Sequence, residues 1–287
     1  MGDFPRTTVG GVSVSRMIVG TNWFLGYSHT TAAKDKYIRS VMDRSAIADI
    51  LEVFLAAGID TIMGLINNKL LAESVREAEQ RTGRPMIVVS TPSIPISPDT
   101  PDKGFDRGEV SAILDREKEI GATFCMPHQG TTDSLVDRCT RKIRHMDVLC
   151  AMIRERGLIP GLSTHMPESI VYADETGLDV ETYVSLYNSM GFLMQVEVDW
   201  VAGVIQDAAH PVMTIKPMAA GQLRPLQGLT FAWTTIRKCD MVTVGTMTPD
   251  EARECIDISL AAIEGRHASL GLQETRSKTS VKKVFTY

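Results

Sequence analysis

The chain of 287 residues has no CxxC pair. Its five cysteines, Cys125, Cys139, Cys150, Cys239 and Cys255, are odd in number and widely spaced, which excludes a regular disulfide framework or a zinc ribbon. They read as reduced, mostly buried thiols of a cytoplasmic protein. Long apolar runs are missing as well. No stretch approaches the roughly 18 apolar residues that cross a membrane, and the opening "MGDFPRTTVGG" lacks the apolar core of a secretory leader. Blocks of one charge are also absent, because 30 basic and 35 acidic residues are interspersed to give a formal charge of −5. That leaves no basic footprint for nucleic acid or an anionic membrane. The partner expected is a small-molecule substrate, with a homo-oligomer left open. Finally, the segment after the first apolar run, "GTNWFLGYSHT", is not the glycine-rich turn of a doubly wound nucleotide-binding sheet, which makes that fold the runner-up.

What is present is alternation. Short β-branched or apolar runs take turns with longer amphipathic segments, the pattern of repeated βα units around a parallel sheet. Eight strands are expected, at 16–22, 59–65, 85–91, 123–128, 159–165, 181–188, 212–217 and 241–246. Helical stretches such as "RSAIADILEVFLAAG" and "KLLAESVREAEQRTG" lie between them, several stopping at a glycine just past the last turn (Gly58, Gly83, Gly121, Gly157). Eight such units in about 250 residues is the size of a (β/α)8 TIM barrel, an α/β fold, in a single domain over 1–287. The segment "RTTVGGVSVS" predicts an N-terminal β-hairpin at about 5–15, turning at Gly10-Gly11 and plugging the barrel floor. The stretch from about 271 to 287 reads as a basic, irregular C-terminal tail.

A barrel of this kind works at the C-terminal ends of its strands. The candidates there are Asn22 and Trp23 after strand one, Met63, Thr91 with Ser93, His128, His165, Asn188, Lys216, and the turn "GTMTPDEAR" after strand eight. Trp23, with Phe24 and Tyr27, offers an aromatic wall for a ligand. Alternation along "PVMTI" predicts Thr214, Lys216 and Met218 on the inner face and Met213 and Ile215 on the outer one. A lysine desolvated at the mouth has a lowered pKa, and either forms a Schiff base or stabilises an enolate or carboxylate. An ion pair with an acidic loop residue is the plain alternative. For His128 and His165 the plain alternative is a ring satisfied by neighbouring backbone. Shared coordination of a divalent metal is open but short of ligands, the nearest carboxylates in sequence being Asp133, Glu168, Glu197 and Asp199.

From about Val9 to Glu264 the chain also resembles the aldo-keto reductases. "VGGVSVSRMIVGTN" is similar to their floor hairpin and first strand, "GLSTH" to the glycine-x-serine motif of strand five, and "IKPMAAGQL" to strand seven. "VGTMTPDEARECI" resembles the segment that holds the cofactor's adenosine phosphate. The resemblance implies carbonyl reduction with NADPH by an aspartate, tyrosine, lysine and histidine set, and cofactor contacts at Gly245, Thr246 and Arg253. Position by position the set is depleted. Met63 stands at the aspartate's place, "GLINNKLLAES" offers Asn67 and Asn68 but no tyrosine, Pro92 stands for the lysine, and only His128 matches. In the cofactor turn Cys255 replaces the usual asparagine and Thr248 the basic residue ahead of the proline.

Three readings follow. The favoured one is an enzyme on a small polar or carbonyl-containing substrate, with His128 as acid/base, Lys216 as electrophilic group, and Asn22, Trp23, His165 and Asn188 on the substrate wall. The others are an NADPH-dependent carbonyl oxidoreductase and a non-catalytic small-molecule-binding barrel.

Overall fold

In the computed structural model, which describes residues 3–274, the eight expected βα units are all present. The residues beyond 274, where most of the expected tail falls, lie outside the described residues. The chain enters through the antiparallel hairpin β1 (Arg6–Val9) and β2 (Val12–Ser15), whose register pairs Val9 with Val12 across a two-residue turn. Both turn residues, Gly10 and Gly11, have positive φ (53° and 80°), the conformation a tight hairpin turn demands and a side chain resists.

Parallel pairing then runs through β3 (Met17–Gly20), β4 (Thr61–Gly64), β5 (Ile87–Ser90) and β6 (Phe124–Cys125). A short hairpin that the sequence pattern did not disclose, β7 (Val136–Asp137) with β8 (Lys142–Ile143), follows the fourth stave. The fifth stave is split into β9 (Ile159–Pro160), which pairs with β6, and β10 (Leu162–Ser163), which pairs with β11 (Tyr183–Leu186). The two halves are joined only by Gly161. A Cβ at that position would stand 2.9 Å from the Met126 side chain, so close passage of Met126 requires glycine there. β12 (Val212–Ile215) and β13 (Met241–Val244) complete the ring, with β13 paired to β3.

Helices cover the outside. Those at Arg44–Ala56 and Lys69–Thr82 begin at the side-chain caps Asp43 and Asn68, which accept backbone N–H bonds that the first turn leaves unpaired. The expected terminal glycines 58, 83, 121 and 157 all take positive φ. Inside the ring, Ile18, Met63, Val89, Phe124, Met126, Val184, Met213 and Met241 pack with Val9 and Val14 of the hairpin, so the hairpin does plug the floor. The outward set, with Val19, Ile62, Cys125 and Val212, packs beneath the helices. This reverses the expectation for stave seven: Met213 and Ile215 face the interior, while Thr214 is buried with its hydroxyl on the Met241 carbonyl. A β-branched polar residue bonded to the neighbouring strand satisfies the outer position, so purely apolar content does not mark the outer face here.

Candidate active site at the barrel mouth

A cavity of about 580 Å³ opens at the C-terminal ends of the staves. Its wall includes Asn22, Trp23, His128, His165, Lys216, Gly245 and Thr246, all expected at the mouth from their places at strand ends.

Lys216 reaches the cavity for a reason other than alternation. Ile215 faces inward, so the next residue of a regular strand would face out; Lys216 instead adopts φ +60°, the left-handed region, and the chain turns at once into Pro217. Ala219, Ala220 and Gly221 continue with φ of +48°, +56° and +87°. Such backbone costs on the order of 1–3 kcal/mol per non-glycine residue and gathers at functional sites. The Lys216 amine makes no hydrogen bond or ion pair among the described residues, and desolvation lowers its pKa to about 8. The ion pair offered as its plain alternative is therefore not formed.

His128 ends the fourth stave and caps the short helix Gln129–Ser134. Its Nδ1 accepts the Gly130 N–H at 3.2 Å. A backbone N–H can only donate, so Nδ1 holds a lone pair and the neutral ring carries its proton on Nε2. Burial lowers the His128 pKa, and the charge of Lys216 lowers it further. His165 is pushed down to about 3, first by burial, then by Lys216, His128 and His29. Its backbone N–H is held by Asp133 at 3.1 Å, and the same carboxylate accepts the Thr164 hydroxyl at 2.5 Å, which fixes the end of the fifth stave. Asp133 is thus committed to structure, and Glu168 pairs with Arg138 at 2.6 Å. Among the described residues no three His, Cys, Asp or Glu side chains are grouped to hold a metal ion.

His29 was missing from the sequence-derived set. It sits seven residues beyond Asn22, in the loop rather than at a strand end, with Asn22 Nδ2 3.0 Å from its Nε2. Partial desolvation and then Lys216 lower its pKa, against an opposing pull from Asp35. Three imidazoles therefore feel the charge of Lys216, on a wall that also carries Lys34 and Arg224, and the Asp and Tyr side chains of the described residues contribute nothing to that wall. Three threonines of that wall, Thr21, Thr243 and Thr246, turn their hydroxyls away from solvent, where they have no hydrogen-bond partner among the described residues.

Several expected residues lie elsewhere. Asn188 is fully buried off the cavity, where its side chain bonds Met190, Phe192 and the Phe192 carbonyl to close a loop. Phe24 is in the core and Tyr27 is half exposed, so Trp23 alone of the three aromatics faces the cavity. Its indole covers Gly245, where any Cβ would lie 2.8 Å from the ring. Arg253 points to solvent and pairs with Asp250 at 2.6 Å. At the same end of the cavity stand Glu251, which accepts the Met247 N–H, and the buried Glu254. Two carboxylates with the arginine turned away do not fit the 2′-phosphate of NADPH, the cofactor the fold family implies, since like charges there are repulsive.

The comparisons agree with this architecture. The chain is similar to a Pseudomona aeruginosa protein provisionally named an aldo-keto reductase, at 17% identity and a TM-score of 0.63, over 91% of this chain and 98% of that one. It is similar to an aldo/keto reductase of Brucella melitensis at 14% identity and a TM-score of 0.56, over 92% and 98%. Orotidine 5′-monophosphate decarboxylase of Methanocaldococcus jannaschii also matches, at 15% identity and a TM-score of 0.51, over 85% and 97%. No protein-family model matches the sequence, and no curated protein does. The chain is an aldo-keto reductase-like TIM barrel in fold. Identities this low carry the fold alone, and chemistry as different as decarboxylation sits on the same scaffold.

Proposed function

We propose that the protein is an enzyme acting at the barrel mouth on a small polar, carbonyl-containing substrate, with Lys216 as the electrophilic group and His128 as hydrogen-bond donor and acid/base. One observation carries this reading: a buried ammonium with no ion-pair partner among the described residues shares one cavity with three imidazoles whose protonation it opposes. A substrate oxygen that gains negative charge supplies the counter-charge the ammonium lacks, which is the arrangement that stabilises an oxyanionic transition state. The Nε2–H of His128 adds a neutral donor to the same oxygen. Trp23 supplies an apolar face in the same cavity.

A standard nicotinamide reductase is disfavoured by the carboxylates Glu251 and Glu254 at the phosphate end and by a wall without tyrosine or aspartate. The reading carries with it a cytoplasmic setting, supported by five unpaired thiols, and a small-molecule partner in preference to nucleic acid or membrane. Among the described residues no helix is long and apolar enough to cross a membrane.

The test is calorimetric binding of pyruvate and of dihydroxyacetone phosphate to the wild type, K216M and H128N, alongside an NADPH-oxidation assay with simple aldehydes. Saturable binding that weakens at least about 10-fold in each variant supports the reading. Brisk NADPH oxidation that is indifferent to Lys216 overturns it.

A further inference from the structure

Lys216 is placed to form a bond as well as to present a charge. Its side chain enters a cavity of about 580 Å³, large enough for a small ketone or aldehyde, and the left-handed residue followed by Pro217 fixes the stem that carries it. Nothing among the described residues engages its nitrogen, whereas a structural lysine of this depth ordinarily ends on a carboxylate or carbonyl. The ionisable groups that line its cavity are His29 from the first loop, Lys34 from the helix Ala32–Val41, His128 and His165 from staves four and five, Arg224 from the turn after β12, and Glu251, Glu254 and Cys255 from the helix after β13. No carboxylate among them pairs with its nitrogen, and desolvation in the cavity raises the share of neutral amine over ammonium.

We propose that the Lys216 amine condenses with a small carbonyl substrate, bearing hydroxyl or carboxylate groups, to give a covalent imine at the barrel mouth. The proposal rests on the site reading above and goes beyond it by making Nζ the bond-forming atom. In the first step the nitrogen lone pair attacks the carbonyl carbon, and the C–O π pair moves onto oxygen, which accepts the His128 Nε2–H hydrogen bond. A proton then passes from the attacking nitrogen to that oxygen, with His165, whose ring makes no side-chain hydrogen bond among the described residues, or solvent as carrier. A second proton from solvent lets the hydroxyl leave as water while the nitrogen lone pair closes the C=N bond. The balance is amine plus carbonyl plus one proton to iminium plus water, and no oxidant or reductant is consumed. An iminium so formed withdraws electrons from the adjacent carbon, which opens carbon–carbon cleavage, decarboxylation or proton exchange at that carbon.

The probe is 2,4-pentanedione, a small 1,3-diketone that condenses with unprotonated amines to a stable, ultraviolet-absorbing enaminone. Wild-type protein is expected to form one adduct mapped by peptide mass spectrometry to Lys216, at a rate more than about 10-fold above exposed Lys118 and Lys238 and rising with an inflection near pH 8. K216R, which keeps the cation but has no condensing amine, is expected to lose the adduct, and H128Q to slow it by about 10-fold or more. Labelling of Lys216 no faster than the exposed lysines overturns the imine. If K216R also binds pyruvate as the wild type does, the imine fails while the electrophilic-site reading stands. Loss of pyruvate binding in K216M together with rapid labelling of Lys216 supports both.

Discussion

The floor and the mouth of this barrel handle polar groups in opposite ways. At the floor, Asp240 is fully buried, and both carboxylate oxygens are occupied by the Arg237 guanidinium and backbone N–H and by the Val212 N–H, at 2.8–3.0 Å. Arg237 further donates to the Ala208 and His210 carbonyls, and Arg16 to those of Asp240 and Arg237. Ser15 and Thr61 exchange hydrogen bonds that tie the hairpin to β4. At the mouth, Lys216 pairs with nothing among the described residues, His128 and His165 line the open cavity, and three threonine hydroxyls sealed behind the wall lack partners among the described residues. The same fold thus closes its network where it needs rigidity and leaves a cation unpaired where the cavity opens, consistent with stability residues at the bottom of such barrels and chemistry at the top.

The contrast can be broken most forcefully at the floor. Asp240→Ala strands the Arg237 charge and is expected to lower unfolding stability by about 3–5 kcal/mol in urea titrations, the usual cost of orphaning a buried ion-pair partner. A loss under about 1 kcal/mol would mean that the floor network is not what holds the staves.

A slightly smaller effect is expected from the mouth in acid. The folded pKa of His165, about 3, lies below its ordinary value of 6.5, so the unfolded chain binds a proton the folded one refuses. Stability is therefore full above pH 6.5 and falls as pH drops toward 3, by an upper bound of about 5 kcal/mol for this one group that solvent screening of a half-buried ring reduces. His165→Gln is expected to flatten the acid limb of the stability curve and leave neutral pH nearly unchanged. An acid limb of unchanged steepness would show His165 to be solvated.

The smallest and sharpest comparison pairs two threonines. Thr61→Val at the floor removes hydrogen bonds to Ser15 and is expected to cost about 1–3 kcal/mol, whereas Thr243→Val at the mouth deletes a hydroxyl without a partner and is expected to be neutral or stabilising by up to about 1 kcal/mol. Equal losses at both would remove the distinction between the two ends.

How much of this was legible in the sequence depends on which physical signal each residue obeys. The eight staves, the Gly10-Gly11 hairpin and the terminal glycines of the helices follow local rules of period and backbone freedom, so the fold could be read nearly stave by stave. His128 was legible for the same reason: alternation with Phe124 and Met126 carries it inward and leaves Cys125 outside. Lys216 was placed at the mouth by an argument that failed, since stave seven faces the other way and only the positive φ at Lys216 itself brings the amine back. A single residue's departure from strand geometry leaves no periodic trace. His29 and Asn188 illustrate the same limit, because loop conformation alone decided that the first joins the cavity and the second closes a turn.

The central claim is that Lys216 is a desolvated amine without a protein partner, and NMR titration of the protein carrying ¹³C-labelled lysine reads it directly. The account predicts one lysine Cε resonance that titrates near pH 8 and is absent from K216M. A Lys216 resonance that shows no titration near pH 8 would contradict it, and would return Lys216 to the role of a solvated or ion-paired side chain.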